Sequence, residues 1–467
     1  MRRIYNPIIL SLLLTLCVVM ASIWYLASHN YNYQGVLAEG GTEQSDVHHI
    51  RRALTKLADP DLVSNVATKA HGYIDSMKNP CWETGSRLFG GKQHSCLPHF
   101  YVSGWHSGAV ALAKQLASHP NVAMDISSKD SAWNATHGFW TQGTSSSDAS
   151  MRQYLDAIRS HALPRLLKNP TTDVVMDGSL STMHLTWANS GRLHRTFQRS
   201  LETCSTQCME GDKGVEEGNV ERNISRACMS KCLGQARTDH VQAWRLAGYE
   251  LEDVQLPLLM KAVYGDWTPK FVFLLRHPIH RIYSAYYGTP ALRERFGNDL
   301  PGFTKFVGDQ YGAYRDCLHN HSDSMCIHTF QSLSVEQQDV FTHCEQLFRG
   351  MHAAHLRIWL KFFPREAFLL VNSMDLFLAD SRNNTIKEIL DFLALPVPEQ
   401  SSPWWGDLDR VGPRVTYTEH VGWVIPEGAR RVMSKMYEPH NVALSQLLGT
   451  VRWLEWNEDT LVCPPSC

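Results

Sequence analysis

"FVFLLRHPIHRIYSAYYG", residues 271–288, opens as a run of large apolar residues and turns abruptly basic. Phe271 to Leu275 are long enough for a strand buried on both faces, and Ile279, Ile282, Tyr283 and Tyr286 then recur at helical spacing. The stretch predicts strand, turn, helix. Arg276 leaves the carboxyl end of the strand, Pro278 stiffens the turn, and Ser284 comes eight residues after Arg276, expected near the helix start. In an open parallel α/β sheet that is where ligands bind, and helix amino termini there favour anions. Arg276 thus has two readings, an anion ligand or a surface ion-pair partner.

Outward from this stretch, short apolar runs alternate with helical patterns: "FYVSG" before "AVALAKQLASHP", then "DVVMDGS", and "AFLLVNSMDLF" before "TIKEILDFLALP". That alternation argues for an α/β fold with a mostly parallel sheet flanked by helices. No repeat and no long low-complexity tract interrupts it. The 467 residues suffice for one large domain or two. A formal charge of -2 excludes a global field suited to nucleic acid, so any anion site is local.

Arg2 and Arg3 precede an uncharged apolar stretch, Pro7 to Ala27, long enough to span a bilayer and longer than the core of a cleaved signal peptide. The positive-inside rule then puts the remaining chain in a lumen or outside the cell. Residues 28–75, with a helix expected around "IRRALTKLA", read as a stem. Of the twelve cysteines, eleven lie beyond the apolar stretch, an odd number that leaves at least one unpaired or intermolecular. Four Asn-x-Ser/Thr sequons, at Asn134, Asn223, Asn320 and Asn383, are compatible with secretion.

"CSTQC" (204–208) and "CMSKC" (228–232) are matching C-x3-C pairs, whose cysteines share a helix face. Two such helices folded back on each other would be clamped by nested bonds, Cys204 to Cys232 and Cys208 to Cys228. A four-cysteine zinc site is the alternative, disfavoured in an oxidising compartment.

Several ordered segments together resemble a Golgi carbohydrate sulfotransferase, most closely the N-acetylgalactosamine 4-sulfate 6-O-sulfotransferase branch. They are "KNPCW", "CLPHFYVSG", "MDGSLSTM", the 271–288 stretch, "CLHNHSDSMC" and "MYEPHNVALSQLLG". The resemblance implies a P-loop-like sulfotransferase fold, 3′-phosphoadenosine 5′-phosphosulfate as sulfuryl donor, a glycan or glycosaminoglycan acceptor, no metal and no nucleic-acid partner. It implies that Arg276 and Ser284 hold the donor's 3′-phosphate, a task suited to a planar guanidinium and a hydroxyl. It also implies short-loop disulfides Cys81 to Cys96 and Cys317 to Cys326. Cys463 to Cys467 is the expected last pair, leaving Cys344 free. The expected organisation is a cytoplasmic tail (1–6), a type II signal anchor (7–27), the stem (28–75), a lumenal domain (76–460) with the hairpin near 200–235, and a tail (461–467).

The family's 5′-phosphosulfate loop is similar to a Lys-Ser/Thr-Gly-Thr-Thr pattern, and "GWHSGAVAL", residues 104–112, corresponds to it. The glycines align when His106 stands at the lysine, Ser107 and Gly108 are retained, and Ala109 and Val110 replace the threonines. Backbone amides at a helix start still offer a phosphate cradle, but the permanent cation and two hydroxyls are missing. His106 has three readings: a cation protonated by the bound donor, a general acid, or a neutral residue in a degenerate loop. The last keeps open a catalytically silent relative that binds nucleotide or glycan. Asp177, ending "DVVMD", is either the base that takes the acceptor's proton or the cap of its own turn. Absence of GxxxxGK[ST] argues against a P-loop kinase. Arg410 and Arg414 are possible cofactor contacts, and Trp404 and Trp405 either stack on sugar or pack. The pairs His277 with His280 and His319 with His321 lack the carboxylates a metal site would add.

Overall fold

The computed structural model describes residues 47–58, 72–84, 93–124, 139–141, 151–180, 182–184, 195–211, 226–329, 345–399, 401–405 and 425–457. The expected anchor, Cys344, Cys463, Cys467, Arg410, Arg414, Asn134 and Asn223 lie outside them. Among the described residues no helix is long and apolar enough to cross a membrane.

A short antiparallel pair, β1 (Cys81–Thr84) and β2 (Gln93–Cys96), sets Cys81 opposite Cys96, and the expected disulfide joins them. The main sheet has β3 (Phe100–Ser103), β4 (Met176–Asp177), β5 (Lys270–Leu275) and β6 (Phe368–Asn372) in the order β4-β3-β5-β6, all parallel. Each of the four arises from a run singled out by its alternation with helical sequence.

The helices that place the site are, in chain order, α1 (Val47–Leu57), α2 (Ala109–Ala117), α3 (Met151–His161), α4 (Arg195–Gly211), α5 (Arg226–Leu246), α6 (Leu256–Tyr264), α7 (Pro278–Gly288), α8 (Leu300–Leu318), α9 (His352–Phe362), α10 (Ala379–Phe392) and α11 (Glu427–Leu448). Side chains alternate across a strand, so β5 feeds two cores. Val272 and Leu274 pack with Leu112 and Leu116 of α2 and Ile386 and Ile389 of α10. Phe271 and Phe273 meet Trp359 of α9 on the other face, and Phe271 stacks on Tyr101. This double cover explains why "FVFLL" is apolar throughout rather than alternating. A further core beside the sheet joins Ile282 and Tyr286 of α7, Phe303 and Phe306 of α8, and Met433 and Tyr437 of α11.

α1, expected within the stem, packs on the folded unit: Ile50 and Leu54 are buried, and Arg51 Nε donates to Ala262 O at 2.8 Å. α4 and α5 form the expected hairpin, joined by Cys204–Cys232 and Cys208–Cys228. Cys317–Cys326 ties the end of α8 to the next helix, Asp323–Thr329. The sequon residues Asn320 and Asn383 are exposed.

Strand order locates the crevice. β4 lies on one side of β3 and β5 on the other, so connections leave the β3/β5 pair in opposite directions. Such a switch point opens a gap at the carboxyl ends of the two strands. The two segments that emerge there are residues 104–108 and Arg276–His277.

Candidate functional site

The loop after β3 is held close to β5. A Cβ at Gly104 would lie 2.6 Å from Leu274 O, so only glycine lets the two backbones meet. His106 has φ 55, a left-handed conformation uncommon outside glycine and costing about 1 kcal/mol or more. Gly108 (φ 86) begins α2, and a Cβ there would strike the Phe377 ring at 2.7 Å. Ala111 N and Leu112 N donate back to Gly108 O at 3.0 and 3.2 Å, so the amides that helix geometry leaves without an internal acceptor are those of Ala109 and Val110. Ser107 is buried, and its hydroxyl donates to Trp105 O at 3.3 Å, inside the loop itself. Ala109 is buried and Val110 is exposed, so neither supplies a polar group.

Arg276 is buried beside this loop and donates from Nη1 to His106 O at 3.0 Å. Its own carbonyl accepts from His352 Nε2 at 3.0 Å. A carbonyl can only accept, so His352 carries its proton on Nε2, and His184 Nε2 donates to His352 Nδ1 at 3.0 Å. The His277 side chain caps α7, accepting from Ile279 N at 3.2 Å. His277 and His280 stack with ring centroids 4.6 Å apart, which is packing rather than metal ligation.

Ser284 is not near the helix start. It is the seventh of the eleven residues of α7, so the hydroxyl cannot serve as part of the helix terminus. It nevertheless shares a face with Arg281, three residues earlier, and Gly288, four later. That face approaches the loop, because a Cβ at Gly288 would lie 2.8 Å from His106 Cε1. Ser284→Ala is expected to weaken binding of adenosine 3′,5′-bisphosphate only about two- to fivefold, as loss of one neutral donor does. Titration calorimetry on the variant checks this, and a loss as large as that of an arginine would show the hydroxyl to be the principal ligand.

Two further guanidiniums approach His106, and the sequence reading missed both. Arg281 is fully buried, no carboxylate or carbonyl pairs with its side-chain nitrogens among the described residues, and its hydrogen-bonding neighbour is the neutral Tyr437 hydroxyl. The neighbouring Tyr437 favours its charge without supplying a negative one, and the Tyr437 hydroxyl donates to Leu347 O. Arg349, 4 % exposed, pairs through Nη2 with Glu345, leaving Nε and Nη1 without partners among the described residues. Its guanidinium lies over the Trp105 ring, 4.4 Å from the centroid. Burial lowers Arg281 to about 10 and Arg349 to about 9, with the repulsion of neighbouring arginines adding to it. Both stay charged at neutral pH.

Burial and these charges together set the state of His106. Burial, then Arg281, Arg349 and Arg276 in that order, lower the imidazole to about 3, so it is neutral in the protein by itself. In the ligand-free protein the positive charge beside the loop therefore comes from arginines rather than from His106. Arg281 had a local signal, standing five residues after Arg276 in the basic turn. Arg349 had none, because an isolated arginine in "EQLFRGM" gives no hint of the loop it meets.

Asp177 stands apart from this cluster, on β4 opposite Tyr101 of β3. It is fully buried; Oδ1 accepts from Ser179 N at 2.8 Å and Oδ2 from the Tyr154 hydroxyl of α3 at 2.7 Å. This is the turn-cap geometry. Trp404 is buried and donates to Gln115 O at 3.1 Å, and Trp405 donates to Pro398 O at 3.1 Å, so both pack rather than present a sugar platform. In the hairpin, the sulfurs of Cys204, Cys208 and Cys232 lie within 4.8 Å of one another, and all three are engaged in its two disulfides.

Fold and site together define an α/β protein with arginines gathered beside the crevice at the switch point of a parallel sheet. No family model matches the chain. Carbohydrate sulfotransferase 15 of Rattus norvegicus is 22% identical over 388 residues, covering 80% of this chain and 58% of that protein. The chain is thus similar in sequence to a carbohydrate sulfotransferase, and it spans less than two thirds of that protein's length. A solved sulfotransferase from Alicyclobacillus acidocaldarius is 14% identical, with a TM-score of 0.38, over 78% of this chain and 99% of that one.

Proposed function

We propose that the protein binds 3′-phosphoadenosine 5′-phosphosulfate at the β3/β5 crevice and transfers its sulfuryl group to a hydroxyl of a glycan, a glycosaminoglycan among the candidates. The observation that carries the reading is the convergence of Arg276, Arg281 and Arg349 on the 104–108 loop. In the reaction the acceptor oxygen forms a bond to sulfur, the bond from sulfur to the 5′-phosphate oxygen breaks, and the acceptor's proton leaves to a base. The chain's own contribution is in-line positioning and stabilisation of charge on the departing phosphate. Arg276 and Ser284 are assigned to the 3′-phosphate, and the 104–108 loop with the first amides of α2, at Ala109, to the 5′ end. Asp177, with both oxygens engaged, holds its turn in this reading and is not the base.

The remaining assignments belong to the same reading: a type II anchor over 7–27, a stem before the domain, a Golgi-lumenal site, and the N-acetylgalactosamine 4-sulfate 6-O branch as nearest in pattern. Because His106 is held at about 3, turnover is expected to show no decline between pH 6.5 and 8 attributable to that imidazole. A pH-rate profile of wild type and His106→Ala tests this, and a limb in that range lost in the variant would restore the cationic role.

A silent, binding-only relative is the second reading, favoured by Ala109 and Val110 at the loop and by the engaged carboxylate of Asp177. Incubation with radiolabelled donor and a panel of glycans, beside calorimetry with adenosine 3′,5′-bisphosphate, separates the two. Transfer supports the enzyme; binding without transfer supports the silent relative; neither overturns both.

A further inference from the structure

Arg281 and Arg349 raise a question that Arg276 does not. Buried cations normally have carboxylates or carbonyls on their nitrogens, because an unpaired buried charge destabilises the fold. Arg281 has only the neutral Tyr437 hydroxyl beside it and no carboxylate or carbonyl on its three nitrogens among the described residues, and Arg349 has one carboxylate and two open nitrogens. They come from distant segments, α7 and the turn before α9, yet both approach one loop: Arg349 covers Trp105, and the face of α7 bearing Arg281 touches the His106 ring through Gly288. Arg276, by contrast, already donates to the His106 carbonyl. A fold that leaves adjacent like charges under-coordinated is suited to a ligand that brings negative charge with it.

We infer that Arg281 and Arg349 form a second anion subsite, separate from Arg276, that takes the 5′-phosphate or phosphosulfate end of a nucleotide carrying two anionic groups. The inference rests on the proposed function and deepens it, by naming which residues supply the charge that the loop's own side chains lack. Arg349 is braced by Glu345 on its own segment and by Trp105 beside it, so its open Nε and Nη1 donors are held in fixed directions. The subsite accounts for a neutral His106, since a fourth cation among three guanidiniums would only add repulsion.

Calorimetry on the full chain with adenosine 3′,5′-bisphosphate and adenosine 3′-monophosphate tests the division of labour. Wild type is expected to bind the bisphosphate about tenfold tighter or more, and Arg349→Gln and Arg281→Met to remove that advantage while leaving the monophosphate affinity within about twofold. Arg349→Lys should recover part of it. Arg281→Met should also raise the unfolding midpoint of the ligand-free protein, since an apolar side chain replaces an unpaired buried charge; a merely structural arginine would lower it. Unchanged bisphosphate affinity in Arg349→Gln overturns the subsite and leaves the proposed function standing. Should wild type bind neither nucleotide, the donor reading fails, and inorganic pyrophosphate decides the subsite: binding that Arg349→Gln abolishes supports it, and no binding overturns it.

Discussion

Replacing Arg276 by alanine is expected to weaken adenosine 3′,5′-bisphosphate binding by about ten- to a hundredfold, because a charge-assisted hydrogen bond contributes about 1.5 to 3 kcal/mol. Two losses add. The 3′-phosphate loses its planar fork, and the His106 carbonyl loses the donor that holds the loop after β3 against the end of β5. The strand itself should persist, since Phe271 to Leu275 are packed on both faces independently of the arginine side chain. Arg276→Lys should fall between, keeping a point charge without the fork. Calorimetry with a thermal scan of each variant checks this. Unchanged affinity with an intact transition would remove Arg276 from the anion site, and a lost transition would mean its bond to the loop is chiefly structural.

A second large effect is expected on acidification. His99, His106, His240, His277, His280, His352 and His355 are held at about 3 to 4, in each case chiefly by burial, and His184 and His328 are lowered as well. Proton counting gives the sign. Below pH 6.5 the unfolded chain takes up protons that the folded chain refuses, so stability is fully present above that pH and falls as pH drops toward 4. Each such histidine costs about 1.4 kcal/mol per pH unit in that window. A few of them together consume most of the about 5–15 kcal/mol that holds a domain folded. Cooperative loss of structure is therefore expected between pH 6 and 5, with uptake of three or more protons, monitored by tryptophan fluorescence. Retention of the native signal at pH 4 would show that these histidines are protonated within the folded protein. Bound nucleotide should move the midpoint to lower pH, because it binds only the folded form.

Much of the architecture was legible because its signals are local. A run such as "FVFLL" is apolar throughout when a strand is covered on both faces, and the helical spacing after it fixes α7. The matching C-x3-C pairs set the hairpin, since i and i+4 share a helix face and two such faces admit nested bonds. Arg276 and the 104–108 loop were also legible, as the segments leaving the carboxyl ends of two strands in a parallel sheet. Their neighbourhood required only that β3 and β5 pair, which the structure shows.

Other features depended on contacts between distant segments. Ser284 was expected near a helix start, yet spacing alone does not show how many turns precede a residue, and α7 begins at Pro278. His106 read as a possible cation because it stands at the lysine of the family's loop, where a bound phosphate favours the protonated form. In the ligand-free protein its charge is set first by burial and then by Arg281, Arg349 and Arg276, which lie 175, 243 and 170 positions away and reach it only through folding. Asp177 offered two roles from sequence, and the engagement of its oxygens by Tyr154 on α3 and by the Ser179 amide is a contact that only folding supplies. The amino-acid sequence by itself determined the strands, the two disulfides of the helical hairpin and the position of the crevice, because strand burial and i, i+4 spacing are short-range patterns. Only the tertiary structure decided which groups in that crevice are charged, because desolvation and the approach of other charges are properties of the packed neighbourhood rather than of the residue.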